Sequence, residues 1–245
     1  SFLKKYFNFN KVYGDIIDQK EMFKFDNIFH FSLEITELKL QKYIRSDIES
    51  VILKYFNIVK SLQPLRVYKK EIKEIYIYPV SQSPIRSIQP YIIDSIIKSF
   101  SKNYKINIVF SESPISNFIE KNIKSKNYQK LLPSSLDELC DLIKDTDFGI
   151  FTDSGPLHFA KLIGIKGVLL TTTVGATILL NEYKSINEIT NFYNSDYCNA
   201  PCGLTNLINF KNKIGCYDSL KISKKDVIDE DNLNSLQRGS IKDKY

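Results

Sequence analysis

From residue 74 onward the chain alternates two kinds of segment. Short runs that are apolar along their whole length recur at EIYIYP (74–79), KINIVF (105–110), YQKLL (128–132), FGIFT (148–152) and KGVLLT (166–171). Between them lie longer runs with helical spacing of apolar positions. One is predicted from about Gln89 to Ser101. PISNFIEKNI opens on Pro114, which suits a first helical turn. SSLDELCDLIKD carries a Ser135/Glu138 capping box, and GPLHFAKLIG is closed by Gly164. Strands that are apolar on both sides, separated by helices and short loops, predict a parallel sheet covered on both faces. Right-handed crossovers make this an α/β, Rossmann-like domain.

Upstream the rhythm is lost. Residues 1–70 read as mixed helix and strand without a clean repeat. Within them SDIESVILKYFNIVKSL predicts an amphipathic helix from Ser46, with Glu49 completing a capping box and Ile48, Val51, Ile52, Tyr55 and Phe56 on one face. Pro64 disfavours helix at Gln63. The predicted partition is therefore 1–70 as part of a preceding domain, 71–228 as the Rossmann-like domain, and 229–245 as a tail.

Composition narrows the class only a little. The 245 residues are 43% hydrophobic and 25% charged, as in ordinary globular proteins. The net charge of +6 comes mostly from lysine, since Arg45, Arg66, Arg86 and Arg238 are the four arginines. No dense basic run with interleaved aromatics appears, so nucleic acid is not expected as a partner. No apolar run is long enough to cross a bilayer. The opening SFLKKYFNFN has neither an initiator methionine nor a signal-peptide pattern, which leads to the expectation of a fragment. The four cysteines, Cys140, Cys198, Cys202 and Cys216, are then expected as reduced thiols. A zinc site from the last three would lack a fourth ligand, so packed free thiols are favoured and no metal is expected.

The candidate chemistry lies in FTDSGPLHFAKLIG (151–164). In a parallel sheet, ligands bind beyond the carboxyl ends of the strands, and Thr152, Asp153, Ser154 and Gly155 lie at such an end. Gly155 permits close approach to the backbone. The free amides and dipole at the start of the next helix favour an anion such as phosphate. Asp153 can cap that helix, or accept hydrogen bonds from ligand hydroxyls or from the amides of a nearby loop. His158, one of two histidines, is within reach of the same mouth. The bland alternative is a capped helix carrying a buried, satisfied histidine.

DFGIFTDSGPLHFAKLIGIKGVLL resembles the donor-site motif of the family 9 glycosyltransferases, the bacterial ADP-heptose:lipopolysaccharide heptosyltransferases. Lys166 departs from the family's usual proline after the glycine. IYIYPVSQSPIRSIQP is similar to the family's loop after the first strand of its C-terminal domain, where hydroxyl residues and a cation hold the donor phosphates. There Ser81 and Gln82 take the hydroxyl positions and Arg86 the lysine position. Gln82 is a departure, whereas a guanidinium can grip phosphate bidentately. Glu112, in FSESPISNF, matches the acidic residue that contacts the ribose. The cysteine-bearing YCNAPCGLTNLINFKNKIGCYDSL completes the likeness.

The resemblance covers roughly residues 72–228. It implies the C-terminal half of a GT-B fold and inverting, metal-independent, cofactor-free transfer of a heptose-like sugar. The implied donor is a nucleotide-diphospho-sugar such as ADP-heptose, and the implied acceptor a lipopolysaccharide core or another glycan. It implies donor binding by Ser81, Gln82, Arg86, Glu112, Asp153, Ser154, Gly155 and His158. The catalytic carboxylate would lie in the preceding domain, so none is assigned, and the chain by itself is expected to be inactive. Cytoplasmic location, with peripheral association at the inner membrane, follows from the same likeness. A GT-B transferase using another nucleotide sugar, or a nucleotide-binding module without transferase activity, remains open.

Overall fold

The computed structural model describes residues 71–82, 86–172, 174–180 and 183–190, together with the backbone of 209–210 and 213–214. The helix expected from Ser46, the preceding domain, the tail, and Cys198, Cys202 and Cys216 lie outside the described residues. The described chain runs β1 (Glu74–Tyr78), α1 (Pro90–Phe100), β2 (Lys105–Val109), α2 (Pro114–Asn122), β3 (Gln129–Leu131), α3 (Leu136–Lys144), β4 (Phe148–Phe151), α4 (Gly155–Ile163), β5 (Gly167–Thr171), α5 (Ala176–Leu179) and β6 (Ile186–Thr190). A separate two-strand antiparallel pair, β7 (Asn209–Phe210) and β8 (Lys213–Ile214), follows.

Six strands form one sheet in the order β3-β2-β1-β4-β5-β6, and every pairing in it is parallel. This is the Rossmann-like α/β fold expected from the apolar strands. Each strand and helix expected from residue 74 onward lies within two residues of its expected bounds. The sequence reading did not include β6. Its INEIT is mostly exposed, because β6 is an edge strand, and an edge strand needs no continuous apolar run.

Both faces of the sheet are covered. On one face Ile75 and Ile77 of β1, Ile106 and Ile108 of β2 and Ile150 of β4 pack with Ile93 and Ile97 of α1 and Ile119 of α2. On the other, Tyr78 stacks on Phe151 with ring centroids 5.0 Å apart, and its hydroxyl meets Thr146 Oγ1, just after α3, at 2.7 Å. Cys140 and Ile143 of α3 and Leu157 and Ala160 of α4 are buried. The neighbouring strands β4 and β5 approach so closely at Gly149 and Gly167 that a Cβ on Gly167 would strike the Gly149 carbonyl.

The local signals act as the sequence implies, with one refinement. Ser113 and Ser135 cap α2 and α3 by accepting from the Ser116 and Glu138 amides. Glu138 reaches back to the amide and hydroxyl of Ser134 instead of the amide of Ser135, so the box closes one residue further out. Gly164 ends α4 at φ 80°, in the left-handed region that glycine adopts without penalty. No helix among the described residues is long and apolar enough to cross a membrane.

One buried carboxylate ties α1 to the end of α2. Asp94 accepts from the Lys124 amide at 3.1 Å and the Ser125 amide at 2.8 Å. Burial pushes its pKa up, but the hydrogen bonds from Ser125 and Lys124 outweigh it and hold the carboxyl below its usual value. A depressed native pKa contributes stability that is present above the unfolded-state value near 3.8 and is lost as the pH falls through the native one. Asp94→Ala should cost about 1–2 kcal/mol at neutral pH by removing the acceptor of two part-buried amides. Thermal melts of Asp94→Asn should show a shallower loss of stability below about pH 4 than the wild type.

Candidate functional site

The strand order reverses direction at one place. From β1 the chain builds outward through β2 to β3, then returns to β4 on the other side of β1 and builds outward through β5 to β6. Helices diverge at such a point, so a crevice opens above the carboxyl ends of the two central strands. Two segments meet there: the loop after β1, carrying Ser81, Gln82 and Arg86, and the turn from β4 into α4, carrying Thr152 to Gly155.

These segments are bonded to each other. Ser81 Oγ donates to the Asp153 carbonyl at 2.6 Å, and the Thr152 hydroxyl donates to the Arg86 carbonyl. Arg86 Nη1 donates to Asp153 Oδ2 at 2.9 Å. The loop is braced internally as well, with the Ile88 amide on the Pro79 carbonyl at 2.8 Å and the Ser81 amide on Ser87 Oγ at 3.0 Å. The two side chains of the ion pair are largely removed from water, at 17% exposure for Arg86 and 9% for Asp153. Arg86 Nε is buried and meets no acceptor among the described residues.

The turn into α4 is unlike the entries to α2 and α3. Ser154 stands at the N-cap in extended conformation but makes no capping bond. Its hydroxyl turns back to the Thr152 carbonyl at 3.3 Å. Asp153 does not cap the helix either, since its carboxylate faces Arg86. Pro156 brings no amide hydrogen. Gly155 is exposed, and a Cβ placed on it would meet nothing within 4 Å. No side chain caps the start of α4: the Leu157 and His158 amides turn onto the Ser154 carbonyl at 3.1 and 3.4 Å, and the Gly155 amide, on an exposed residue, stands at the positive end of the dipole. Farther along the helix, Lys161 is 2% exposed. Its Nζ donates to the Leu179 carbonyl at 2.8 Å and lies 5.2 Å from the Tyr183 ring centroid, anchoring α4 to the segment after β5.

A cavity of about 420 Å³ sits over this corner. Seven of the eight residues singled out in the sequence line it: Ser81, Gln82, Arg86, Asp153, Ser154, Gly155 and His158. Gln82 is exposed at its rim, whereas Ser81 and Asp153 are buried in its wall. Glu112 lines a second cavity of about 480 Å³. Val80, Ser111 and Pro156 border both, so the two adjoin. The second is walled by Tyr78, Val109, Phe110, Pro133, Leu136 and Leu139, with hydroxyls from Ser111, Ser134 and Ser135.

The sequence reading treated Arg86 as a cation available to a ligand. The structure places it in an ion pair with Asp153, a contact spanning 67 positions of chain that no local pattern signals. The sequence reading also missed the apolar wall formed by Leu136 and Leu139. They lie at the start of α3, and 55% exposure of Leu136 is the signal that this helix entrance is apolar on its open side. Among the described residues no cluster of three or more His, Cys, Asp or Glu could hold a metal ion.

No protein-family model matches the chain, and no curated protein matches it. Solved structures do. The glycosyl transferase family 9 protein from Veillonella parvula superposes with a TM-score of 0.50 at 11% identity, over 61% of this chain and 50% of that one. The E. coli heptosyltransferase WaaC with ADP gives 0.47 at 9% identity, over 58% and 48%. The E. coli ADP-heptose LPS heptosyltransferase II gives 0.41 at 16%, over 58% and 42%. The matched region thus spans half or less of each of these proteins. The likeness to the Veillonella protein is one of fold, and that fold is the α/β, Rossmann-like one the sequence implied.

The open space above Gly155 yields a test that separates binding from folding. A Cβ at Gly155 meets nothing within 4 Å, and Gly155 does not have a left-handed φ, so Gly155→Val is expected to fold. Its melting temperature should stay within about 2 °C of the wild type, roughly the shift of a change of 1 kcal/mol or less in a chain of this size. Its affinity for inorganic pyrophosphate, read by titration calorimetry, should fall about tenfold or more, because the Gly155 amide at the helix start becomes shielded.

Proposed function

We propose that the chain is the donor-binding part of a glycosyltransferase and that the crevice between β1 and β4 receives the diphosphate of a nucleotide-diphospho-sugar. The observation that carries this reading is the open α4 N-terminus at the switch point, with the Arg86 guanidinium in the same cavity wall. Two features that favour anions converge where the fold places ligands. A bare structural turn would gain by letting Ser154 cap the helix.

In this reading the diphosphate sits over Gly155 and Ser154, beside Arg86. The nucleoside extends into the adjoining cavity, its base against Leu136, Leu139 and Val109 and its ribose hydroxyls toward Glu112. The sugar faces outward near His158 and Gln82. During transfer an acceptor hydroxyl attacks the anomeric carbon and loses its proton to a base outside the residues assigned here. The bond from that carbon to the diphosphate oxygen breaks, and the diphosphate leaves with the electron pair. Charge therefore grows on the leaving group, and the α4 amides and Arg86 stabilise it. In this metal-independent scheme the helix terminus and the guanidinium N–H groups left free by Asp153 meet the growing charge.

The resemblance in sequence supports ADP-heptose as donor, a lipopolysaccharide core sugar as acceptor, inversion at the anomeric carbon, and a cytoplasmic site of action at the inner membrane. These finer statements are part of the proposal.

Titration with ADP, UDP, GDP and their nucleosides tests it. At least one diphosphate should bind, and much more tightly than its nucleoside. Arg86→Lys keeps a charge beside Asp153 but loses the planar fork. It should weaken diphosphate binding by about 1.5 kcal/mol, the scale of one charge-assisted hydrogen bond, and leave nucleoside binding unchanged. Equal losses for diphosphate and nucleoside would assign Arg86 a purely structural role.

A further inference from the structure

We infer that Asp153 is a positioning residue for anion capture: it fixes the Arg86 guanidinium in the cavity wall and does not itself touch the ligand. This rests on the nucleoside-diphosphate reading above and specifies how that site is built.

The bonding of Asp153 points inward. Its carbonyl is taken by Ser81 Oγ and its carboxylate by Arg86 Nη1. Its side chain is 9% exposed, whereas its neighbour Gly155 faces open space. The carboxylate also makes no cap on α4, although it stands one residue before the N-cap. A carboxylate beside a helix N-terminus normally competes with an incoming anion for that positive end. Held against Arg86, its charge is compensated and turned away from the helix amides.

Arg86 in turn needs a partner to be useful. It lies in the loop after β1, outside any strand or long helix, where its backbone carbonyl accepts from the Thr152 hydroxyl. A long side chain at such a place samples many rotamers, and each binding event would have to freeze them. The bond to Asp153 settles the rotamer beforehand, which raises affinity without adding a contact to the ligand. It occupies one of five guanidinium hydrogens. Arg86 Nε, without an acceptor among the described residues, remains unsatisfied at the cavity wall.

The experiment is calorimetric titration of the 245-residue chain with whichever of ADP, UDP and GDP binds most tightly. The variants are Asp153→Ala, Asp153→Asn, Arg86→Lys and the double variant Asp153→Ala/Arg86→Lys. Asp153→Ala should weaken binding about tenfold, by releasing Arg86. Asp153→Asn retains an acceptor oxygen for Nη1 and should return affinity to within about threefold of wild type. In the Arg86→Lys background the Asp153→Ala change should cost much less than in the wild type, since the residue acts through Arg86. Nucleoside binding should be unchanged throughout. Unaltered diphosphate binding in Asp153→Ala would overturn the inference. So would an Asp153→Asn variant as weak as Asp153→Ala, or strict additivity in the double variant. Should Asp153→Ala fail to fold, Asp153→Asn and Arg86→Lys still decide: an Asn variant weakened tenfold overturns the proposal. A folded wild type that binds none of the three diphosphates would instead overturn the nucleotide reading itself, and this inference with it.

Discussion

The parallel pairing of β1 with β4 is the constraint on which the rest depends. Ile75 is in register with Phe148, and Tyr78 with Phe151, so the two strands end level with each other. Their loops must then leave the sheet side by side. The chain order forces the loop after β1 toward α1 and the turn after β4 toward α4, on opposite faces of the sheet. Neither helix can close over the gap between them. The crevice is therefore a consequence of topology, and the bonds from Ser81, Thr152 and Arg86 turn two adjacent loops into one wall.

Packing beneath the wall keeps it in place. Tyr78 and Phe151, the last residues of the paired strands, stack at 10° between ring planes and are essentially fully buried. Thr146 holds the Tyr78 hydroxyl, and Lys161 holds α4 to the Leu179 carbonyl. A buried polar group without such a partner costs about 1–3 kcal/mol, so each of these bonds penalises movement of an element that carries part of the site. Rigidity at the strand ends keeps the start of α4 and the Arg86 guanidinium in place, which the proposed anion site requires.

How much of this was legible depended on the range over which each signal acts. Strands apolar on both sides, Pro114 and Ser135 at helix starts and Gly164 at a helix end are local preferences, and the folded chain uses them where they stand. The location of the crevice was legible for a related reason: Asp153-Ser154-Gly155-Pro156 joins a strand end to a helix start, and in this fold class crevices open beside such junctions. The relation of Arg86 to Asp153 was not legible, because it depends on β1 and β4 being neighbours, which residue spacing does not encode. The direction of the Ser154 hydroxyl was hidden as well. Serine at that position predicts a cap, and the same residue type caps α2 and α3. Strand β6 escaped notice because only Ile186 of its five residues is buried, and an edge strand can keep its polar residues.

The charge arrangement explains why a chain rich in lysine uses arginine at this point. An ammonium paired with Asp153 would give the carboxylate its compact charge and keep no fixed geometry for a second anion. A guanidinium can hold the carboxylate with one hydrogen of Nη1 and keep its remaining donors in a known plane. The pair is then close to neutral by itself, and in the proposed reading the attraction for a ligand comes from direction more than from net charge: the fixed N–H groups of Arg86 and the start of α4 lie in the same cavity wall. Surface lysines contribute to the net charge of +6, but salt screens their field within about 10 Å. The donors within the crevice act at hydrogen-bond distance and escape most of that screening.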